Sequence, residues 1–378
     1  MKKIVFVVLD REVGGVTSAL SSLYNRIKCD FNIEIVQLTT LGDADVVYSD
    51  VVKPLSWFSD YYYGQTLKRR GWKFLVSVLV KIIGRIFPSI INLSIKRFER
   101  YCHKNEINCV IAYGEGAAAN FVSKLRNIKI IAWIHYDITF YSYSKADNEL
   151  YSKFDKIICV ADSIAKGMGE LYPNLKGRII GIHNLIDVQR VCNLSTFPIP
   201  EQENYLFDAK FTIISIGRIC DVKQFHYVPK IASDLKKKKI DFKWIVIGPA
   251  NDKPQLQRFL DSIKNYGVSD CVVWIGSRKN PYAYLSKVNL LVSTSSTEAC
   301  PMVFIESRVL RVPIVTNSIL TAQEFVLDGK NGYIVPLHKM SEKIEEIIND
   351  RDVYQLLRRP VDAFSHNEDA IHKFNAIV

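Results

Sequence analysis

The sequence contains no run of 18 or more uncharged apolar residues, which excludes a membrane-spanning helix of ordinary length. Its eight cysteines, at 29, 102, 109, 159, 192, 220, 271 and 300, form no C-x-x-C pair and no Cys/His cluster with zinc spacing, so neither a disulfide framework nor a zinc site is indicated. A reduced, cytoplasmic setting is the expectation. Met1-Lys-Lys-Ile-Val-Phe-Val-Val-Leu-Asp10 has an apolar run of only six residues that ends at an acid and lacks a small-residue cleavage site. It reads as a first buried strand rather than a signal peptide. There is no G-x-S-x-G element and no isolated cysteine context for a nucleophile, so covalent catalysis of those kinds is not expected.

What is present is length, apolar content and positive charge. At 378 residues the chain exceeds what one core usually supports, so two domains are expected. A hydrophobic fraction of 48% is enough for packed cores. The formal net charge of +11 asks for an acidic partner: nucleic acid, an anionic membrane surface or a phosphorylated small molecule. The charge concentrates in Lys68-Arg-Arg-Gly-Trp-Lys73 and continues through Lys81, Arg85, Lys96, Arg97 and Arg100. Phe74, Leu75, Val78, Leu79, Ile82, Ile83 and Ile86 fall between them at helical spacing, with Trp72 at the start and Pro88 after. Such a basic amphipathic helix either packs on its own domain or rests on anionic lipid. The run Lys236–Lys239 reads as a solvated helix end, where cations are favourable without a partner.

Hydrophobic patterning alternates strand and helix throughout. Strands are expected at Ile4–Leu9, Ile33–Leu38, Cys109–Ala112, Ile128–Ile134, Lys156–Val160 and Arg178–Ile182, and again at Phe211–Ile216, Lys243–Ile247, Cys271–Ile275, Val288–Val292, Pro313–Thr316 and Gly332–Val335. They are short, Val/Ile-rich and apolar on both faces, as parallel strands buried under helices should be. Helices fit between them, for example Val16–Ile27, Ala117–Leu125, Tyr227–Lys237, Gln255–Lys264 and Val303–Leu310. Two successive α/β sets imply two doubly wound domains. The stretch 186–210, with Pro198, Pro200 and Glu201-Gln-Glu-Asn204, is linker-like. Ligands of open α/β sheets bind outside the carboxyl ends of the strands, so the loops after each strand carry the search.

Those loops hold a consistent set of groups. After the first strand come Gly14 and Gly15, opening a helix, where a backbone without side chains can approach an anion, or simply turn. After the fourth expected strand comes His135-Tyr-Asp137. A histidine there can hydrogen-bond a hydroxyl or phosphate, or be a satisfied structural residue. After Phe211–Ile216 comes Gly217-Arg218-x4-Lys223, two cations suited to clamping a diphosphate. Gly248-Pro249 and Gly276-Ser277 end the next two strands. Then comes Glu298-Ala-Cys-Pro-Met-Val-Phe-Ile-Glu306, uncharged between the two glutamates. Glu298 is placed beside a helix N-terminus and Glu306 about two turns down that helix, near the same lateral face. A carboxylate on an apolar helix is costly to bury alone, and the helix start attracts anions. The pair therefore suggests a polyhydroxylated, phosphorylated ligand. The plainer alternative is a solvated Glu306 and a capping Glu298.

In their order, these segments resemble a family 4 glycosyltransferase of the retaining, sugar-nucleotide-dependent class. The resemblance also rests on Val160-Ala-Asp-Ser163, His183-Asn184-Leu-Ile-Asp187, Pro281-Tyr-Ala-Tyr-Leu285, Val312-Pro313-Ile-Val and Glu324-x3-Asp328-Gly-Lys-Asn-Gly332. It covers nearly the whole chain and is strongest over 211–336. Departures are Glu298-Ala-Cys-Pro301, Lys223-Gln224 and Ser318-Ile-Leu-Thr-Ala-Gln-Glu324, where the family usually has Glu-Gly-Phe-Gly/Pro, Lys-Gly and Gly-Gly-x-x-Glu. The resemblance implies a GT-B fold, with two Rossmann-like domains and an interdomain cleft. Residues 1–185 would form an acceptor domain, 186–210 a hinge and 211–360 a nucleotide-sugar domain, with a C-terminal helical segment, 361–378, packing back toward the first.

The same resemblance implies roles. Arg218 and Lys223 would neutralise the diphosphate as the sugar leaves. Glu306 would bind the ribose hydroxyls and Glu298 the sugar hydroxyls. The backbone of Cys300, Pro301, Met302 and Val303 would lie near the phosphates, with Gly217 and Gly248 lining the donor site. His135 would contact the donor sugar, and Gly14 and Gly15 would shape the acceptor side and help cradle phosphate. No metal or other cofactor is implied; leaving-group phosphate would assist acceptor deprotonation. The implied enzyme is a hexosyltransferase moving a hexose or N-acetylhexosamine, from UDP in the commonest case, to a glycan or lipid-linked oligosaccharide in surface polysaccharide synthesis. The region Lys68–Arg100 suits docking to an anionic membrane, which places the protein in the cytoplasm, peripheral on the inner face of the plasma membrane. Other readings are a sugar-nucleotide epimerase of the same fold, a GT-A enzyme using Asp43-Ala-Asp45 to hold a metal, and a nucleic-acid-binding protein. The last lacks interleaved stacking aromatics and a helix-turn-helix, and nucleic acid is not expected as a partner.

Overall fold

The computed structural model describes residues 1–10, 14–39, 48, 52–55, 60, 62–63, 72–86, 88–140, 142–361 and 365–378. Asp43, Asp45, Lys68, Arg69 and Arg70, on which parts of the sequence reading fall, lie outside the described residues. The chain divides into two compact units, Met1–Leu185 with His366–Val378, and Ile186–Ser365.

The first unit is built on one sheet of seven described strands. They are β1 (Lys2–Val8), β2 (Phe31–Gln37), β3 (Val52–Pro54), β4 (Cys109–Tyr113), β5 (Lys129–Ile134), β6 (Lys156–Cys159) and β7 (Ile179–Gly181). Their order is β3-β2-β1-β4-β5-β6-β7, and every pairing is parallel, with Ile4 opposite both Ile33 and Cys109. The central strands are buried on both faces, as the Val/Ile runs require. The strand β3 was not expected. It is three residues long and contains a proline, which a sheet accepts at an edge where no ladder N–H is needed. The C-terminal helix Ser365–Ile377 belongs to this unit; Phe374 is buried and stacks on Phe6 at 6.4 Å, with Phe31 and Trp133 also against it.

The second unit repeats the plan with β8 (Phe211–Ile216), β9 (Phe242–Ile247), β10 (Val272–Trp274), β11 (Leu290–Ser293), β12 (Ile314–Thr316) and β13 (Gly332–Ile334). Their order is β10-β9-β8-β11-β12-β13, again all parallel. Strand order reverses at β1/β4 in one sheet and at β8/β11 in the other, which creates a crevice beyond the carboxyl ends of each pair. Residues 186–210, linker-like in composition, contain the helix Val188–Ser195 and a short 3₁₀ segment, Glu201–Phe207. Ile186, Val191 and Leu206 are buried in this unit's core beside Leu285, Phe304 and Ile305. Glu203 receives a fork from Arg278, Nη2 to Oε1 at 2.5 Å and Nε to Oε2 at 3.4 Å.

The amphipathic helix is Trp72–Ile86, and Pro88 opens the next helix, Pro88–Lys104. Ser77, Val80 and Gly84 face inward, while Trp72 (65%), Leu75 (67%), Leu79 (55%) and Ile82 (46%) are exposed. The helix therefore packs on its own unit by a narrow strip and leaves much of its apolar surface outside. The run Lys236–Lys239 is exposed at the end of the helix Val228–Lys237, as expected of a solvated helix end, and also makes surface pairs: Lys236 with Asp270 at 2.8 Å, Lys237 with Asp234 at 3.2 Å, and Lys238 with Glu345.

Candidate active site

In the second unit the carboxyl-end loops are tied to one another. Gly217 N–H donates to Ile247 O, Ile219 N–H to Pro249 O and Gly248 N–H to Gly276 O, each at 2.9 Å. Gly248 lies so close to the preceding loop that a Cβ there would overlap the carbonyl of Gly217. Gly276 sits at φ +75°, in the left-handed region that glycine adopts without penalty. These contacts set the loop after β8 directly over the switch point.

That loop carries Lys223 to Glu298. The ammonium of Lys223 is ion-paired and hydrogen-bonded to Glu298 Oε1, and Ser295 Oγ donates to the same oxygen at 2.7 Å. Both side chains are largely but not fully covered, at 21% and 14% exposure. The backbone is fastened too: Thr294 Oγ1 donates to Lys223 O, Ser296 N–H to Val222 O and Thr321 Oγ1 to Glu298 O, all at 2.8 Å. Gln224, next in the chain, is held at φ 49° and ψ 37°, a left-handed conformation for which a side chain is unfavourable. Arg218 is exposed on the same loop. Ala299 is buried, Cys300 half-buried and Pro301 buried, and the helix Met302–Val309 starts with no side-chain cap on its first N–H groups. The helix start therefore keeps a positive end near a cation-bearing loop.

Glu306 lies on that helix between buried Ile305 and Ser307. It is crowded by protein atoms on every side, although part of its surface still meets solvent. Burial pushes its pKa up to about 7, against the opposing influence of the Tyr282 hydroxyl and the Arg190 charge. Tyr282 donates to Oε1 at 3.0 Å. A solvated Glu306 is thus corrected: the group is set in low dielectric, where a carboxylate binds hydrogen-bond donors strongly.

In the first unit, Gly14 is extended at φ 177° and precedes the uncapped helix Gly15–Ile27. Among the described residues nothing lies within 4 Å of a Cβ built there, so packing does not demand glycine at that position. His135 follows β5, with its ring 4.4 Å from that of Tyr113. Among the described residues both ring nitrogens are buried without a partner, and burial pushes the pKa down to about 3, so the ring is neutral at physiological pH. The sequence reading missed what holds it. Glu115, in the loop after β4, accepts the backbone N–H groups of His135 and of Tyr136, the latter at 2.8 Å. Burial raises the Glu115 pKa, opposed by those N–H bonds. A carboxylate between Gly114 (φ +125°) and Gly116 (φ +63°), just past a buried strand, was the signal that could have found it.

A separate groove of about 680 Å³ lies along the helices Val228–Lys237 and Lys253–Asn265, lined by Tyr227, Lys230, Arg258 and Tyr266 among others. None of the site residues expected from sequence lines it.

Residues 199–361 match the family model described as Glycosyl transferases group 1. An uncharacterized glycosyltransferase of Methanocaldococcus jannaschii, MJ1059, is 25% identical over 227 residues, covering 58% of this chain and 53% of that protein. The capsular polysaccharide biosynthesis glycosyltransferase CapM of Staphylococcus aureus is 27% identical over 164 residues, 42% of each chain. The chain spans about half the length of these curated relatives. Among solved structures, Anabaena HepE in complex with UDP and glucose superposes with a TM-score of 0.75 at 16% identity, over 100% of both chains. At that identity the likeness concerns the fold. The chain is thus a two-domain α/β protein of the GT-B fold, and its residues 199–361 match the group 1 glycosyltransferase model.

Proposed function

We propose that this protein is a retaining hexosyltransferase. It moves a hexose or N-acetylhexosamine from a nucleotide-diphosphate sugar, with UDP as the nucleotide, to a glycan or lipid-linked oligosaccharide in surface polysaccharide synthesis. The observation that carries this reading is the Lys223–Glu298 pair at the β8/β11 switch point, at the start of the helix that bears Glu306. As the bond from the anomeric carbon to the diphosphate breaks, negative charge grows on the phosphates. Lys223 and Arg218 offset that charge where it develops. Lys223 turning to the phosphate releases Glu298 to accept sugar hydroxyls, so the pair is preformed for both halves of the donor. A leaving phosphate oxygen takes the acceptor proton on the same face, which retains configuration without a protein nucleophile. Neutralisation by these cations makes a metal unnecessary, so a chelator is expected to leave the rate unchanged.

CapM is named for capsular polysaccharide biosynthesis, and the HepE structure contains UDP and glucose; both agree with this choice of donor and acceptor class. The experiment is a transfer and donor-hydrolysis assay over a panel of sugar nucleotides. Lys223→Ala and Glu298→Ala are expected to lower turnover by about 100-fold or more. Full activity in both variants overturns the site.

The acceptor reading extends to the membrane. Trp72, Leu75, Leu79 and Ile82 lie on successive turns and are exposed, with Lys73 also exposed beside them. An apolar stripe flanked by cations suits the cytoplasmic, anionic face of a plasma membrane, where each basic residue adds about 1 kcal/mol. The protein is expected to float with anionic vesicles. Charge reversal at Lys68, Arg69 and Lys73 is expected to abolish flotation, and unchanged flotation refutes the membrane reading.

A further inference from the structure

We infer that Tyr282 is a positioning residue for the ligand-binding carboxylate of Glu306: its hydroxyl holds one oxygen so that the other is presented, ionised, to a vicinal diol. This rests on the donor-site reading above and extends it to a residue for which the family resemblance gave no role.

The geometry comes from two short elements. Tyr282 is the first residue of the helix Tyr282–Leu285, fixed by burial of Ala283, Tyr284 and Leu285. Glu306 stands on Met302–Val309, flanked by buried Phe304, Ile305 and Ser307. The two are joined by the 3.0 Å bond from Tyr282 Oη to Glu306 Oε1. Among the described residues no donor reaches Oε2. A carboxylate in such surroundings, with one oxygen satisfied and one open, accepts a pair of neighbouring hydroxyls well when ionised and poorly when protonated.

Every charged or titratable group recorded against this pair works in a definite direction. The Tyr282 bond and the charge of Arg190, on the helix Val188–Ser195, both favour ionised Glu306. Burial disfavours ionisation of Tyr282, as do Glu306 and Asp187, which caps that helix, against the smaller opposing influence of the Arg190 charge. Tyr282 thus stays a donor. Desolvation is the opposing influence on Glu306. Removing the phenolic hydroxyl therefore makes Glu306 harder to ionise, and donor binding then requires a higher pH.

The test is calorimetric titration of the full-length protein with UDP-glucose from about pH 5.5 to about pH 8.5. An esterified diphosphate is needed because a terminal phosphate itself titrates at about pH 6. Wild-type affinity is expected to fall roughly tenfold per pH unit below its midpoint. In Tyr282→Phe the midpoint is expected to move up by about one pH unit, the size of a hydrogen bond to a charged group. Affinity at about pH 8.5 recovers toward wild type. Glu306→Gln is expected to bind weakly with no pH dependence. A wild-type profile in Tyr282→Phe, or a persisting pH dependence in Glu306→Gln, overturns the positioning role while leaving the donor site standing. Absence of UDP-glucose binding by the wild-type protein, with a folded circular dichroism spectrum, overturns the donor reading and this inference together.

Discussion

The two sheets reverse strand order in the same way, at β1/β4 and at β8/β11, yet their switch points are chemically opposite. In the first unit the carboxylate there, Glu115, accepts backbone N–H groups, and the neighbouring His135 is a neutral ring with both nitrogens buried. In the second unit the carboxylates meet side chains instead: Glu298 holds Lys223, and Glu306 holds the Tyr282 hydroxyl. Backbone-bound Glu115 cannot change partners without unmaking the loop. A side-chain ion pair can exchange its partner for a ligand at little structural cost. The topology therefore supplies two equivalent crevices, and among the described residues the second one carries the side-chain ion pair suited to a charged ligand.

This contrast can be broken in several ways. The largest expected effect is on turnover, the roughly 100-fold loss in Lys223→Ala, measured by sugar transfer; melting temperature should fall only modestly, because Ser295 Oγ still donates to the largely covered Glu298. Glu115→Ala should show the reverse pattern. It leaves part-buried N–H groups without acceptors and should lower stability by about 1–3 kcal/mol, read by denaturant unfolding. Next comes His135, whose pKa is depressed from the ordinary 6.5 to about 3. Below pH 6.5 the unfolded chain takes up a proton that the folded chain refuses. Stability present above that pH is thus lost as pH falls toward 3, by about 1–3 kcal/mol at pH 4. His135→Phe should flatten that part of the acid unfolding curve. Gln224→Gly should raise stability by about 1 kcal/mol, because it relieves a left-handed residue. Smallest of all, Lys236→Ala should leave both activity and melting temperature unchanged, since its pair with Asp270 is exposed.

Much of the fold was legible because buried parallel strands write themselves as Val/Ile runs. All twelve expected strands are found, within a few residues at their ends, and the two doubly wound domains follow from their order. The thirteenth, Val52–Pro54, carried no such run. The site was legible only as separate loops. That Lys223 reaches Glu298, that Tyr282 reaches Glu306 and that Glu203 reaches Arg278 are choices among many polar partners. They are decided by how loops far apart in sequence, 75 residues in the first case, are brought to one sheet edge. For Glu115 the flanking glycines marked the position, but not its partners, which are backbone groups that every sequence offers. The exposure of Trp72, Leu75, Leu79 and Ile82 was equally undecidable, since an apolar stripe looks the same whether a core or a lipid surface covers it.

The central claim is that a nucleotide sugar binds at the β8/β11 switch point through Lys223, Glu298 and Glu306. Calorimetric binding of UDP-glucose to the wild-type protein, to Lys223→Ala and to Glu306→Ala measures it directly. The account predicts binding by the wild type and at least a roughly tenfold loss in each variant; wild-type affinity in both variants would contradict it.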